Sequence, residues 1–188
     1  MTPEELLRFM DRIEPLKSET RHCFTRAGTP ETVAAHSWRL AVFAMLLEDE
    51  FPELDFNRVL RMCLVHDFGE AVTGDIPSFQ KTKINEQREE SAIDMLLSNL
   101  PEKVRQNLQG LFGEMLKGET KEAKMWRALD QLEAVIQHNE SNLDTWLPLE
   151  YMLNQTYGEQ AVAPFPFLVL LRQKLKQETQ EKIKIEGK

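Results

Sequence analysis

The 188-residue sequence is poor in cysteine. It contains two cysteines, Cys23 and Cys63, which lie far apart, and it has no CxxC pair. Disulfide frameworks and thiolate zinc sites need more cysteines at shorter spacings, so the sequence excludes both classes of site. Unpaired thiols suit a reducing compartment, and we therefore expect a cytoplasmic protein.

Long hydrophobic runs are also missing. The longest strongly apolar stretch, FPFLVLL at 165–171, is far shorter than the ~20 residues that cross a bilayer as a helix. The acidic, amphipathic start of the chain lacks the basic segment and apolar run that a secretory signal peptide requires. We expect no membrane partner for this protein.

Positive charge is scarce as well. The sequence has 23 Lys and Arg against 31 Asp and Glu, which gives a formal net charge of −8 at pH 7. Proteins that bind the phosphate backbone of nucleic acid present a basic face, so we expect no nucleic-acid partner. A small anionic substrate stays possible, because a metal ion and an arginine can reverse the sign of the charge locally.

The sequence also lacks runs of alternating apolar and polar residues bounded by hairpin signals, which are typical of strands. Helical periodicity dominates instead. An N-terminal helix is followed by a loop over 15–29. Further helices are predicted at about 31–50, 56–70, 85–99, 101–116, 120–140, 147–156 and 165–183. Heptads are not sustained, which argues against a coiled coil. The sequence predicts an all-α protein, a compact orthogonal helical bundle, and its length favours one domain.

The most informative local feature is LVHDFGE at 64–70. An apolar helix runs into adjacent His66 and Asp67, and neighbouring helical residues point about 100° apart, so an ion at the helix end can bind both. Glu70 lies four residues after His66 and shares its face while the helix lasts. Taken alone, the pair is more often a surface His-Asp pair or a helix-end charge.

Three further features favour a metal site. His36 lies early in a long apolar helix, flanked by alanines; its alternative is a core histidine bonded to a carbonyl. Asp130 lies between Leu129 and Leu132, where an unpaired buried acid is costly; its alternative is a half-exposed aspartate at the edge of that face. Asp75 follows in the TGDIP loop, where a simple turn residue is the alternative. Two imidazoles and two carboxylates suit Mn, Fe, Co, Ni or Zn better than Mg or Ca.

The ordered pattern of these residues resembles the HD-domain metal-dependent phosphohydrolase superfamily, and within it the 5′-deoxynucleotidase-like branch. The resemblance covers roughly residues 5–140. It rests on three stretches, PETVAAHSWRLAVFAM, LVHDFGEAVTGDIP and AKMWRALDQLEAVIQ. It implies a single HD-type helical domain over 1–188, with a metal-site core at about 31–140 and C-terminal helices over 147–183 packing on it.

The resemblance also implies roles for individual residues. Glu70 and Asp75 would serve the proton transfers around the attacking water and the leaving oxygen, in an order that the sequence leaves open. Arg21 matches the family's phosphate-binding arginine, and the alternative is a solvated loop arginine. His22 would lie near the sugar of the substrate. One divalent transition metal ion (Mn, Co, Fe, Ni or Zn) would be bound by His36, His66, Asp67 and Asp130.

Two positions depart from the family's usual pattern. Relatives usually carry an acid before the first ligand histidine, where this chain has Ala35, and the deoxynucleotidases carry a tryptophan where it has His22. The second departure leaves the deoxy-sugar preference open. The chain has four histidines, and the last, His138, is interpreted as a helix C-terminal cation. We therefore expect one metal ion rather than two.

These features together predict an enzyme. The hypothesis is a metal-dependent phosphohydrolase that cleaves a phosphate monoester, a (deoxy)nucleoside 5′-monophosphate, by metal-activated water. Two alternatives stay open: a nucleotide di- or triphosphohydrolase of the same superfamily, and a non-catalytic metal-stabilised scaffold or regulatory module. The expected partners are a small phosphate substrate, a nucleotide, and by resemblance a second copy of the chain in a homodimer.

Overall fold

The computed structural model describes residues 1–186, and the last two residues of the predicted domain, 187 and 188, lie outside the described residues. The strands are β1 (Thr20–Phe24) and β2 (Pro30–Thr32). The helices are α1 (Pro3–Ile13), α2 (Val33–Leu46), α3 (Phe56–Val65), α4 (Glu70–Thr73), α5 (Lys83–Leu97), α6 (Glu102–Lys117), α7 (Lys121–Glu140), α8 (Glu150–Thr156), α9 (Glu159–Val162) and α10 (Pro166–Glu186). Short 3-10 turns occur at Glu14–Lys17, Glu48–Glu50 and Leu143–Thr145.

Side-chain caps start the helices that carry the site. Thr32 accepts a hydrogen bond from the Ala35 backbone N–H at the start of α2, at 3.2 Å. Asp55 and Thr120 do the same at the starts of α3 and α7. Because the first N–H groups of a helix have no intrahelical acceptor, each cap stabilises its helix by about 1 kcal/mol and determines the residue at which it begins.

The segment before α2 differs from the prediction. The sequence pattern predicts a loop over 15–29 and a helix from about 31, whereas the structure forms β1 and β2 there. The strands pair antiparallel with Thr20 opposite Thr32. Strands this short show no measurable alternation, and Pro30 is tolerated because it begins the strand, where its missing N–H costs no ladder bond. The prediction of an irregular loop is therefore wrong for β1.

The third predicted helix is also shorter than expected. The periodicity predicts one helix over 56–70, but the structure divides this range into α3 and α4 with a turn between them. The Phe68 N–H donates to the Val65 carbonyl oxygen at 3.0 Å, a three-residue spacing that tightens the end of the helix. His66 and Asp67 consequently lie in this turn, just beyond α3, rather than inside a helix.

Helix α7 is the centre of the bundle. Its side chains Met125, Leu129 and Leu132 are fully buried, and they pack in one core with apolar residues of α2, α3, α9 and α10. Leu168 and Leu175 of α10 belong to the same core. The chain is thus the all-α HD-type bundle that the sequence predicts, with a small two-stranded sheet added. That the whole chain is one domain stays a prediction, which this shared core supports.

Among helices of the described part of the chain, none has both the length and the apolar character of a bilayer-spanning segment.

Candidate active site

The structure brings together the four residues predicted as metal ligands, which we call the His36 cluster: His36, His66, Asp67 and Asp130. His36 projects from the first turns of α2 and Asp130 from the middle of α7. The His36 Nε2 atom lies 3.1 Å from Asp130 Oδ1. The His66 Nε2 atom lies 3.0 Å from Asp67 Oδ2 and 3.7 Å from Asp130 Oδ1. Residues up to 94 positions apart in sequence thus lie close together.

Both imidazoles of the His36 cluster are oriented through their Nδ1 atoms. His66 Nδ1 lies 3.0 Å from the Cys63 carbonyl oxygen, and because a carbonyl can only accept, Nδ1 carries the proton. His36 Nδ1 lies 2.5 Å from Glu133 Oε2. Burial would raise the pKa of Glu133, but its hydrogen bond to His36 lowers it. Glu133 is therefore a carboxylate that accepts the proton of His36 Nδ1 as a hydrogen bond. The Nε2 atoms therefore face the cluster, which is how metal-binding histidines are usually held.

The unpaired atoms at this point fit a cation. His66 Nε2 is buried and makes no hydrogen bond with any of residues 1–186, although two carboxylates lie beside it. A neutral imidazole whose Nδ1 holds the proton presents a lone pair from Nε2, and lone pairs that face carboxylate oxygens repel unless a positive charge lies between them. The donor set, two imidazoles and two carboxylates, suits a divalent transition metal.

The pKa values of Asp67, Asp130 and His36 also indicate that the cluster attracts positive charge. Burial would raise the pKa of Asp67, but the adjacent His66 holds it below its ordinary range. The pKa of Asp130 is also lowered, because its hydrogen bond to His36 outweighs the effect of burial. Burial and Arg21 oppose a charged His36, yet its bonds to Asp130 and Glu133 raise its pKa to about 10. The carboxylates are therefore anionic and attract a cation, be it a proton or a metal ion.

Glu70, the predicted acid-base residue at the start of α4, is buried beside the cluster. Burial and the charges of Asp67 and Asp75 raise its pKa to about 10. Its Oε2 has no hydrogen-bond partner within the described chain, while Oε1 lies 3.7 Å from Lys81 Nζ. A carboxyl group in such surroundings keeps its proton near neutral pH and can donate it.

Asp75, the second predicted acid-base residue, lies on the loop after α4. Its backbone N–H donates to Glu19 Oε1 at 3.1 Å, which holds the loop against the N-terminal segment. Burial raises the pKa of Asp75, and the Arg21 charge partly opposes this. Asp75 and Glu70 line the same cavity, so the structure places both beside the His36 cluster.

Arg21 lies on β1 and points into the same cavity. Its Nη1 atom is 3.2 Å from Glu31 Oε2 and 3.6 Å from Glu133 Oε2, and its side chain is 13% exposed. The alternative of a solvated loop arginine is therefore wrong. Two buried carboxylates hold the guanidinium in place, and its remaining N–H groups can bind an anion.

A cavity of about 130 Å³ connects these groups. Asp67, Asp130 and Arg21 line it. His22, predicted near the sugar, lines the same cavity, with Nε2 2.9 Å from Glu150 Oε1. His138 also lines the cavity, and we call His22, His138 and Glu150 the His138 cluster.

His138 lies in the last turn of α7, where the sequence places it, but it is not simply a surface residue at the helix end. Its ring is buried, with Nδ1 2.9 Å from the Ala134 carbonyl oxygen and Nε2 3.1 Å from Glu150 Oε1. A signal existed in the sequence, because His138 follows Asp130 by eight residues, close to two helical turns, and so shares its face.

Two other residues at the site were not predicted from the sequence. Glu133 lies three residues after Asp130, a spacing that places both on one side of α7 and could have indicated a partner for a ligand histidine. Glu150 begins α8, and nothing in its local sequence distinguishes it from an ordinary first-turn acid. Lys81 also lines the cavity, and its Nζ atom lies 2.7 Å from Glu89 Oε2.

Comparisons with known proteins identify the family of this chain. A family model described as HD domain matches residues 13–164. The chain is 35% identical over 139 residues to 5′-deoxynucleotidase HDDC2 of Mus musculus, covering 72% of this chain and 69% of that protein. For 5′-deoxynucleotidase HDDC2 of Homo sapiens the identity is 34% over 139 residues, covering 72% and 67%.

Solved structures with the same fold include a protein of Magnetospirillum magnetotacticum MS-1 described as a "predicted metal-dependent phosphohydrolase". It superposes with a TM-score of 0.79 at 26% identity and covers 95% of each chain. A conserved hypothetical protein of Pyrococcus furiosus superposes with a TM-score of 0.70 at 25% identity, covering 93% of this chain and 99% of the other. The chain therefore belongs to the HD-domain family of metal-dependent phosphohydrolases, in its 5′-deoxynucleotidase-like branch.

Proposed function

We propose that this hydrolase cleaves the phosphate monoester of a (deoxy)nucleoside 5′-monophosphate. The observation that carries the proposal is the position of the His36 cluster, whose Asp67 and Asp130 line a cavity that also holds Arg21, Glu70 and Asp75. A metal site, an anion-binding guanidinium and two acid-base carboxyls in one cavity are what hydrolysis of a phosphate ester requires. The names of the curated relatives, 5′-deoxynucleotidases, support the nucleotide as the substrate class.

His36, His66, Asp67 and Asp130 would hold one divalent ion, and the donor set favours Mn, Co, Fe, Ni or Zn. When bound, such an ion supplies Lewis acidity, which acidifies water and neutralises charge that develops on phosphate oxygens. The contribution of the protein is to keep the ligands in place. Glu133 does this for His36, and the Cys63 carbonyl does it for His66.

Arg21 would bind the phosphoryl group of the substrate. Its contacts with Glu31 and Glu133 leave donors on the guanidinium that face the cavity. Paired N–H groups on a planar guanidinium match two oxygens of a phosphate, which orients the phosphorus for attack. Because the neighbouring carboxylates already position Arg21, little reorganisation accompanies substrate binding.

Glu70 and Asp75 would handle the protons of the reaction. Water adds to phosphorus, the bond between phosphorus and the 5′ oxygen breaks, and the leaving oxygen gains a proton, so that a nucleoside and orthophosphate result. The raised pKa of Glu70, about 10 in the metal-free protein, suits a proton donor to the leaving oxygen. Asp75, on the loop after α4 and in the same cavity, suits the orientation of the attacking water.

His22 would face the sugar of the substrate. Its ring lies on the wall of the cavity and packs edge-on against Phe79, with ring centroids 5.4 Å apart. An imidazole at this position is smaller and more polar than an indole. We therefore propose a weaker preference for 2′-deoxy sugars than a tryptophan at this position would produce.

Two broader expectations accompany this proposal. We propose a cytoplasmic homodimer, on the strength of the family resemblance and of the apolar side chains exposed on α1 and α10, such as Leu7 and Leu170, which are 68% and 66% exposed. Light scattering coupled to gel filtration measures the mass in solution, and a monomer at micromolar concentration would contradict the dimer.

The experiment that tests the proposed reaction combines metal reconstitution with product analysis. The purified protein is stripped with a chelator and reloaded separately with Mn, Co, Fe, Ni and Zn. Each form is then given ribo- and deoxynucleoside mono-, di- and triphosphates. We expect orthophosphate from monophosphates in the reloaded forms and none in the stripped form. Release of pyrophosphate or triphosphate would instead support the di- or triphosphohydrolase, and activity without any metal would contradict the proposed site.

A further inference from the structure

We propose that the His138 cluster is a second divalent-cation site, separate from the His36 cluster, in which His22, His138 and Glu150 bind a zinc-class ion from three sides. His22 Nε2 and His138 Nε2 lie 2.9 and 3.1 Å from the same oxygen, Glu150 Oε1. The three ligand atoms all lie within 4.8 Å of one another. Zn–N and Zn–O bonds are about 2.0–2.2 Å long, so three donors at these separations can reach one ion with small side-chain movements.

The positions of the two ring nitrogens of His138 support a cation at this cluster. Its Nδ1 atom lies 2.9 Å from the Ala134 carbonyl oxygen and must donate, since a carbonyl has no proton to give. In the neutral ring, Nε2 then carries a lone pair, which points at an oxygen of Glu150 only 3.1 Å away. Two acceptors at this distance repel each other unless a positive charge, an added proton or a metal ion, lies between them.

Glu150 is anionic and firmly placed. Burial alone would raise its pKa, but the interactions of its carboxylate with the His138 and His22 rings lower it to about 2. Its other oxygen, Oε2, accepts from the Leu147 backbone N–H at 2.7 Å. One oxygen is thus occupied by the protein backbone, and Oε1 is directed at the two imidazoles, as in a carboxylate that is oriented to bind metal.

The ring of His138 is fixed as the ligands of the His36 cluster are. His36, His66 and His138 all use Nδ1 toward a protein acceptor and leave Nε2 toward a carboxylate. Trp146 packs edge-on against His138, with ring centroids 5.7 Å apart, which limits rotation of the imidazole further. Rings fixed in this way lose little entropy when they bind an ion.

The two clusters are too far apart to share a metal. Asp130 and His138 are eight residues apart on α7, and a helix rises 1.5 Å per residue, so their backbones are about 12 Å apart. Metal pairs that act on one phosphate are about 3.5–4 Å apart. The second ion would therefore act alone, on the wall of the cavity away from the phosphate.

The chemistry of the donors limits the ion and its role. Two imidazoles and one carboxylate are the protein ligands of open zinc sites, which keep a fourth position for water or a ligand. His22, His138 and Glu150 all line the cavity, so the fourth position would face its interior. An oxygen or nitrogen of a bound small molecule could occupy it.

Equilibrium dialysis of the metal-free protein against Zn²⁺, with metal analysis of the retained protein, tests this site without measuring turnover. We expect about two tightly held ions in the wild type and about one each in His138→Gln and His22→Gln. Asp130→Ala should also keep about one ion, at the His138 cluster. Tyr157→Phe, which changes the same cavity but none of the proposed ligands, is the matched control and should keep the wild-type number.

Several outcomes would overturn the second site. A wild type with about one ion, together with Asp130→Ala that retains none, would mean that a proton on His138 satisfies Glu150 instead. An unchanged number of ions in both histidine variants would place any second ion elsewhere. Circular dichroism checks that each variant is folded. His22→Gln should disturb the core least, because the His22 side chain is 24% exposed at the cavity wall. Failure of the second site would not contradict the proposed hydrolysis, which is tested separately by orthophosphate release from the reloaded wild type.

Discussion

The two histidine-carboxylate clusters differ in their balance of charge, although both are built on α7 and both face one cavity. The His36 cluster joins two imidazoles to Asp67 and Asp130, with Glu133 directly behind His36. The His138 cluster joins two imidazoles to a single carboxylate, Glu150. An excess of buried carboxylate demands a cation, whereas a single carboxylate can be satisfied by one added proton.

The two clusters therefore differ in how strongly they require a metal ion. In the His36 cluster the carboxylates raise the pKa of His36 to about 10, so the metal-free protein holds a proton that a metal ion must displace. In the His138 cluster a proton and a metal ion compete more evenly for the same position, because either one balances the charge of the single carboxylate. Substitutions in each cluster should therefore have effects of different size and kind.

The largest expected effect is that of Asp130→Ala. The substitution removes the carboxylate 3.1 Å from His36 Nε2 and 3.7 Å from His66 Nε2, so it should abolish metal binding at the His36 cluster and reduce phosphatase activity to that of the stripped protein. Metal analysis and orthophosphate release measure the two losses. Asp144→Ala, an exposed acid, is the control and should change neither. Full activity in a metal-free Asp130→Ala protein would remove the basis of the proposed mechanism.

The next largest effect is expected for Glu70→Gln. The amide cannot donate the proton that the buried carboxyl holds, so kcat should fall about 10²–10⁴-fold while the metal content stays unchanged. Steady-state kinetics on the best nucleotide, together with metal analysis, separate these quantities. Glu90→Gln on the exposed face of α5 is a matched control. An equal loss of metal and activity would reassign Glu70 from proton transfer to metal binding.

A smaller effect is expected for Glu133→Gln. The buried Glu133 carboxylate accepts from His36 Nδ1 at 2.5 Å and lies 3.6 Å from Arg21, so its neutral analogue should weaken metal affinity or activity about 10–100-fold. Competition with a chelator measures the affinity of the His36 cluster. Glu150→Gln should leave that affinity unchanged, since it acts on the other cluster. If both variants weakened it equally, the two clusters would not be independent.

The smallest effect concerns stability in acid and the carboxylate of the His138 cluster. Because the pKa of Glu150 is lowered to about 2 from an ordinary 4.5, its contribution to stability is complete above pH 4.5 and is lost as the pH falls toward 2. Urea unfolding of the metal-free protein should show wild type about 1–3 kcal/mol more stable than Glu150→Gln at pH 6, with the difference disappearing in acid. The exposed Glu181→Gln should show no such pH dependence. A difference that grew as the pH fell would contradict the lowered pKa.

Local sequence reasoning succeeds where a residue's neighbours along the chain determine its surroundings. The long helices followed from apolar periodicity, and Asp130 was singled out because an acid between buried leucines needs a positive partner. It fails for β1 and β2, whose pairing depends on contacts between residues too few to show alternation. It also overextends the third helix, whose end at Val65 is made by a tightened turn that periodicity does not report.

The residues of the proposed site likewise include some that the sequence indicated and some that it did not. His36, His66, Asp67 and Asp130 were proposed from their residue types, their order and a family resemblance, and the structure brings them together. Glu150 carries no local signal, because the contacts that distinguish it come from β1 and α7, both distant in sequence. The burial of His138 against Glu150 was not predicted for the same reason.

The sequence by itself predicted the fold class, the family and a first set of candidate metal ligands, because periodicity, residue type and motif order can be read along the chain. Only the tertiary structure decided which nitrogen of each imidazole faces inward, that Glu133 lies behind the His36 ring, and that Glu150 faces both His22 and His138. Those features depend on distances between segments far apart in the chain. They arise only when α2, β1, α7 and α8 pack together.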